Sequence, residues 1–250
     1  MRKLTLAWLL PVGMLVMSAG VVTARAQTAD EVIDKHIAAV GGREALGKLT
    51  SRKSTGTVTL KTAAVELTGP YEGYAKAPNK TRAVLKLDTT AIGGPGEMII
   101  EQRFDGNAGY SLNSLQGDAD ISGNQLDNMR NGGFPSSILT FKQNGVKAEL
   151  LPKEQVDGKD AIVMLFTPKT GSPTRIYFDA ATYLIMKTVT KVMTAAGELE
   201  QTSAVSDYRT VDGVKIPFLI ANSSAVQSIT ITLTKVEHNV ALDDAMFGKR

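Results

Sequence analysis

Ile229-Thr230-Ile231-Thr232-Leu233-Thr234 alternates without a break between an apolar side chain and a hydroxyl. Successive side chains of a strand point to opposite faces, so this stretch describes a strand with one dry face and one wet face. The same period of two recurs outward from it. Val214, Ile216, Phe218 and Ile220 form one face of a preceding strand. Leu85 and Leu87 alternate with Lys86 and Asp88, and Val58 and Leu60 with Thr57 and Thr59. Asp105-Gly106, Asp157-Gly158 and Asp212-Gly213 punctuate these runs. Asp and Gly tolerate positive φ, which tight hairpin turns demand. Asp179-Ala180-Ala181 and Ala195-Ala196-Gly197 read as further hairpin tips. Strands joined in this way run antiparallel, since parallel crossovers need helices between strands.

Two segments depart from the strand period. Near the start, Thr28 is placed to cap a helix, with Glu31 three residues on as in a capping box. Val32, Ile33, His36, Ile37 and Val40 then share one helical face, and Gly41-Gly42 ends it. A short second helix is expected over Arg43 to Leu49. In mid-chain, Asp118 to Phe141 reads as a helical or loop insertion carrying Leu126, Met129, Gly132-Gly133, Phe134-Pro135, Ile138 and Leu139. The fold expected is mainly β, an antiparallel sheet of about 10–12 strands with a helix before it and an insertion in its middle. A sheet so wide curls, leaving a trough that the helices can fill.

The N-terminus carries an export pattern. Arg2 and Lys3 precede an almost wholly apolar run from Leu4 to Val22, followed by Ala24-Arg25-Ala26, a small-x-small cleavage site. The expectation is a signal peptide over 1–26, a mature chain beginning at Gln27 and a single domain over 27–250, released into the periplasm. An uncleaved anchor is the rival reading, and Pro11, Gly13 and Gly20 weigh against it. Without Arg2, Lys3 and Arg25 the formal net charge of +3 falls to zero, so no basic excess points to nucleic acid. The chain has no cysteine, which excludes disulfides, thiolate metal sites and a cysteine nucleophile.

Chemistry-bearing patterns are sparse. Two histidines, His36 and His238, are too few for a multi-histidine zinc site. His36 falls on the apolar helix face, and His238 beside Glu237 reads as a solvated pair. No serine lies in a Gly-x-Ser-x-Gly elbow. Gly93-Gly94-Pro95-Gly96 lacks the Lys-Ser/Thr and helix of a phosphate cradle. Asp243-Asp244, Asp118 and Asp120 read as solvated turns, and Asp207-Tyr208-Arg209 as a strand end. No catalytic residue, cofactor or metal is therefore expected. The stronger signal is apolar. Ala161-Ile-Val-Met-Leu-Phe166 has no polar break, the mark of a strand covered on both faces. Met98-Ile99-Ile100 and Leu184-Ile185-Met186 are similar, and Met98, Met164, Met186 and Met193 supply adaptable side chains.

Several stretches together resemble the LolA/LolB-like superfamily, in its looser group of outer membrane lipoprotein-sorting-like proteins. They are Thr28 to Leu46 with its Gly-Gly exit, Ala77-Pro-Asn-Lys80, and Phe104-Asp-Gly106 before Tyr110. Ile176-Tyr-Phe-Asp179 with Tyr183-Leu-Ile185, the run Asp207 to Pro217, and Leu242 to Phe247 complete the set. The resemblance spans nearly all of 27–250. It implies a half-open barrel with helices over the concave face and a hydrophobic cavity between them. It also implies a carrier or chaperone for a lipid, a lipoprotein acyl chain or a similar amphiphile, with an envelope protein as a further partner. Ile100, Ile162, Met164, Met186, Phe134 and Leu139 are the ligand-binding residues expected on that reading. A scaffold module with a self-filled cavity is the alternative, and a hydrolase built from scattered Ser, His and Asp is a third reading.

Overall fold

The computed structural model describes residues 27–194 and 197–249. The expected signal peptide, 1–26, lies outside the described residues, as do Ala195 and Ala196 of one expected hairpin tip. The chain opens with α1 (Ala29–Ala39) and α2 (Gly42–Gly47). Then come β1 (Ser51–Thr62), β2 (Glu66–Lys76), β3 (Lys80–Asp88), β4 (Glu97–Phe104), β5 (Gly109–Asn113) and β6 (Gly117–Ile121). An insertion containing α3 (Gly123–Arg130) leads to β7 (Lys147–Leu150) and β8 (Glu154–Val156). The rest is β9 (Lys159–Thr167), β10 (Thr174–Asp179), β11 (Ile185–Thr194), β12 (Gly197–Val211), β13 (Val214–Ser223) and β14 (Gln227–His238).

These strands make one open antiparallel sheet in the order β6-β5-β4-β3-β2-β1-β14-β13-β12-β11-β10-β9-β7, with β8 beside β9. All neighbours except β1–β14 and β7–β9 are consecutive, as a meander requires. The expected antiparallel half-barrel is what forms, with 14 strands rather than the smaller number read from the sequence. The excess lies in β6, β7 and β8, which are three to five residues long and too short to show alternation. In β6, Asp118 and Asp120 belong to the sheet and not to the insertion, which begins at Ser122.

The inner face holds the main core. Val32, Ile33 and Ile37 of α1 pack there with Val58, Leu60, Ile162, Met164, Phe178, Phe218, Ile231 and Leu233. The capping box forms as expected, with the Glu31 amide donating to Thr28 Oγ1 and the Thr28 amide to Glu31 Oε2. At the helix exit Gly41 has φ 127° and lies so close to the β12–β13 turn that a Cβ would meet Gly213 O at 2.4 Å. Lys215 N donates to Val40 O at the same junction and docks α1 on the sheet.

The outer face is covered in two places. Leu151 and Val156 lie over Ala161, Val163 and Tyr177, so β9 is buried on both faces, as its unbroken apolar run predicts. The protein's own chain provides both covers. The C-terminal turn Asp244–Phe247 packs against β3 and β4 with Phe247 fully buried. Lys76 and Lys80 hold Asp244, and Arg103 donates to Gly248 O.

Candidate functional site

The insertion runs from edge strand β6 to edge strand β7 and so crosses the open side of the sheet. Polar ties fix it on both sides. Phe134 N donates to Pro78 O at 2.7 Å and Arg130 to Asn107 O, both in turns of the β1–β6 half. Asn131 donates to Thr170 O, and Ser172 is bound to Asn128 and Asn124, all at 2.7 Å, in the β7–β14 half. Lys142 pairs with Asp30 of α1 at 2.7 Å. The two parts of the insertion differ in depth. No residue of α3 is buried, whereas Phe134 and Ile138 enter the main core.

Between the insertion and β9–β12 lies a cavity of about 350 Å³. Ile138, Phe141, Val146, Phe166 and Ile176 give it apolar walls. Asn128, Asn131, Thr190 and Gln201 give it polar groups. Phe141 and Phe166 meet edge to face at 5.8 Å. Such a lining suits an apolar molecule with a polar end, because the walls shed water and the amides orient. A smaller hollow of about 290 Å³ lies between α1 and the insertion, against Ile33, Ile138 and Leu139.

The residues expected to line a ligand site are spread over this region. Phe134, Ile162 and Met164 are buried in the main core, with Ile100 and Leu139 packed against it from its margin. Met186 packs on the second cluster, with Tyr177 and Val189 on the other face of the sheet. The side chain of Met193 lies outside those described. None of the six expected residues lines the 350 Å³ cavity, whose walls come from neighbours such as Phe166 and Ile138.

The histidines are both structural in their first contacts. His36 is buried, stands edge-on to Phe178 at 5.1 Å, and has Nδ1 2.8 Å from Tyr183 O. Burial lowers its pKa, with the bond to Tyr183 acting the other way. His238 corrects the sequence reading. Its side chain is 1% exposed and Nδ1 sits 3.0 Å from Asp212 Oδ2, while Glu237 pairs with Lys235. Alternation sends residues 237 and 238 to opposite faces. His238 Nε2 is buried without a hydrogen-bond partner among the described residues, so no hydroxyl completes a base-and-nucleophile arrangement there.

Arg52 was the other residue missed. It lies on the inner face, two positions from buried Ser54 in the series that continues to Val58 and Leu60. Its guanidinium carbon is 5.6 Å from the Phe134 ring centre. Among the described residues its side chain has no ion pair or hydrogen bond. Burial pulls its pKa down, and the Tyr71 phenol partly offsets this. Burial in turn pushes the Tyr71 hydroxyl up, against the pull of Arg52.

Remaining motifs are structural. Asp244 is held at about 2 by hydrogen bonds from Lys76 and Lys80. Asp120 pairs with Lys249, and Asp207 with Arg209 within β12. Among the described residues no group of three or more His, Asp or Glu side chains could hold a metal ion.

No family model matches the sequence, and no curated protein does. Solved structures do match the fold. A DUF1329-family protein from Desulfovibrio piger aligns with TM-score 0.57 and 14% identity, over 89% of this chain and 98% of that one. A LolA superfamily protein from Nitrosomonas europaea aligns with TM-score 0.54 and 16% identity, over 90% and 99%. A domain described as an outer membrane lipoprotein-sorting protein, from Vibrio parahaemolyticus, aligns with TM-score 0.55 and 13% identity, over 87% and 94%. The chain thus has the fold of the LolA superfamily along most of its length, as the sequence resemblance implies.

Proposed function

We propose that this protein is a non-catalytic periplasmic carrier that holds a lipid, a lipoprotein acyl chain or a similar amphiphile between the sheet and the insertion. The observation that carries this is the cavity of about 350 Å³ with apolar walls and amide and hydroxyl groups, set under a segment tied to both halves of the sheet. Its size lies within the range of small-molecule pockets, roughly 300–1,000 Å³. The fold of lipoprotein-sorting relatives agrees with it. Among the described residues no helix is long and apolar enough to cross a membrane.

A second reading is an envelope scaffold that contacts protein partners. It is favoured by the filling of the trough with α1, Phe134 and Ile138. Native mass spectrometry of the purified protein, with organic extraction of what co-purifies, separates the two. A carrier shows mass adducts that extract as lipid. Folded protein that carries no lipid, and takes up none from vesicles, favours the scaffold.

A further inference from the structure

The trough contains a polar end that its apolar walls do not explain. Arg52 on β1 and His238 on β14 are register partners. Directly opposed side chains on one face stand about 5 Å apart at Cβ. The next pair inward, Ser54 with Val236, is buried, which fixes the face as the inner one. A residue inserted into β14 near Thr234 shifts the register, so that Leu233 and Val236 both point inward and His238 follows them. Tyr71 packs against the same core, and Phe134 roofs the guanidinium.

A guanidinium stays charged at any physiological pH, and an unpaired charge out of water is costly. Here the cation has a ring face and a phenol for neighbours and no carboxylate bonded to it among the described residues. His238 Nε2, buried and without a hydrogen-bond partner among the described residues, is a second and separate unmet polar group at the same register position. Arg52 itself keeps part of its surface accessible. The planar fork of Arg matches the paired oxygens of carboxylate or phosphate.

We infer that Arg52, His238 and Tyr71 form a head-group subsite that takes the anionic oxygens of an amphiphile, whose chain runs beneath Phe134–Ile138 into the apolar cavity. This rests on the carrier reading. Phe134 touches Arg52 and Ile138 lines the cavity. Four residues span at most about 14 Å, a distance that a long acyl chain covers. Arg52 supplies the charge and Tyr71 a hydroxyl donor, and His238, with a proton on both ring nitrogens, donates from Nε2 to the ligand and from Nδ1 to Asp212. Asp212 is largely exposed, so its own charge is solvated and opposes the ligand weakly.

The test is competition against a neutral fluorescent probe, N-phenylnaphthylamine, on the delipidated full chain. Oleate, oleoyl lysophosphatidate and oleyl alcohol share a chain and differ in head group. The two anions are expected to compete at least about 10-fold better than the alcohol, the scale of a charged hydrogen bond. Whichever anion is stronger identifies carboxylate or phosphate as the source. Arg52→Met should bring all three within about threefold of one another, and His238→Gln should fall between, with melting temperature unchanged or raised because a lone buried charge is removed. Equal competition by all three on the wild type overturns the subsite and leaves the carrier reading standing. An anion preference retained in Arg52→Met does the same. Failure of every amphiphile to bind sinks both. If Arg52→Met does not fold, Arg52→Lys, which keeps charge without the fork, should lose part of the preference, and an unchanged preference overturns the assignment.

Discussion

Glu101 lies beneath the C-terminal turn, on the outer face of β4, with Arg103 and Arg82 donating to its Oε1 at 2.6 and 2.5 Å. Its side chain is 1% exposed. Burial works against its charge, but the hydrogen bonds from Arg103 and Arg82 outweigh that and hold the carboxyl below its ordinary value. A depressed carboxyl stabilises the fold above its unfolded pKa and loses that contribution as pH falls through its own lower value. Glu101→Gln should therefore cost about 3 kcal/mol at neutral pH, since it strands two cations. In urea melts the gap between variant and wild type should close as both are taken to acid pH. A gap that persists unchanged there would show that shape, not charge, sets the cost. The sequence shows this site only in part. Alternation puts 101 and 103 on one face, but nothing local tells which face the C-terminus will cover. Arg52 was more legible than it looked. Counting back by twos from Leu60 and Val58 places it on the dry face, yet the stretch Ser51 to Thr57 has no apolar residue to mark the period.

The insertion has a deep part and a shallow part, and the two should behave differently. Phe134 and Ile138 are fixed in the core, whereas α3 has no fully buried residue and is tied down by a few amide and backbone hydrogen bonds. Segments with few buried apolar contacts open most readily. Hydrogen exchange should thus be fast across residues 123–130 and slow at Ile138 in empty protein, and a bound amphiphile should slow the former. Equal protection of α3 and β1, unaffected by ligand, would make the whole insertion a rigid plug. Element by element, α1 was fully readable because cap, apolar face and glycine exit all lie within a few residues of one another. The short strands β6 to β8 were not, because pairing to long neighbours makes them strands, and pairing is not written locally.

At the scale of the molecule, the meander could be read from turns and alternation, but the neighbour relation of β1 and β14 could not. That pairing joins Arg52 to His238, near opposite ends of the chain, and depends on close backbone approach. At Gly56 a Cβ would lie 2.1 Å from Thr232 O, so only glycine fits that seam. The seam also has a partner in the topology. Strands β1–β6 and β7–β14 are two halves connected through the insertion alone, while β1–β14 holds them side by side. Gly132 is exposed within that connection. A protease cut there should leave both fragments in one complex, eluting from a sizing column as the intact protein does and parting only in denaturant. Spontaneous separation after the cut would show that the insertion, and not the seam, holds the halves together. The protein is in this sense already divided into two complementary pieces, which could be produced separately, labelled differently and recombined.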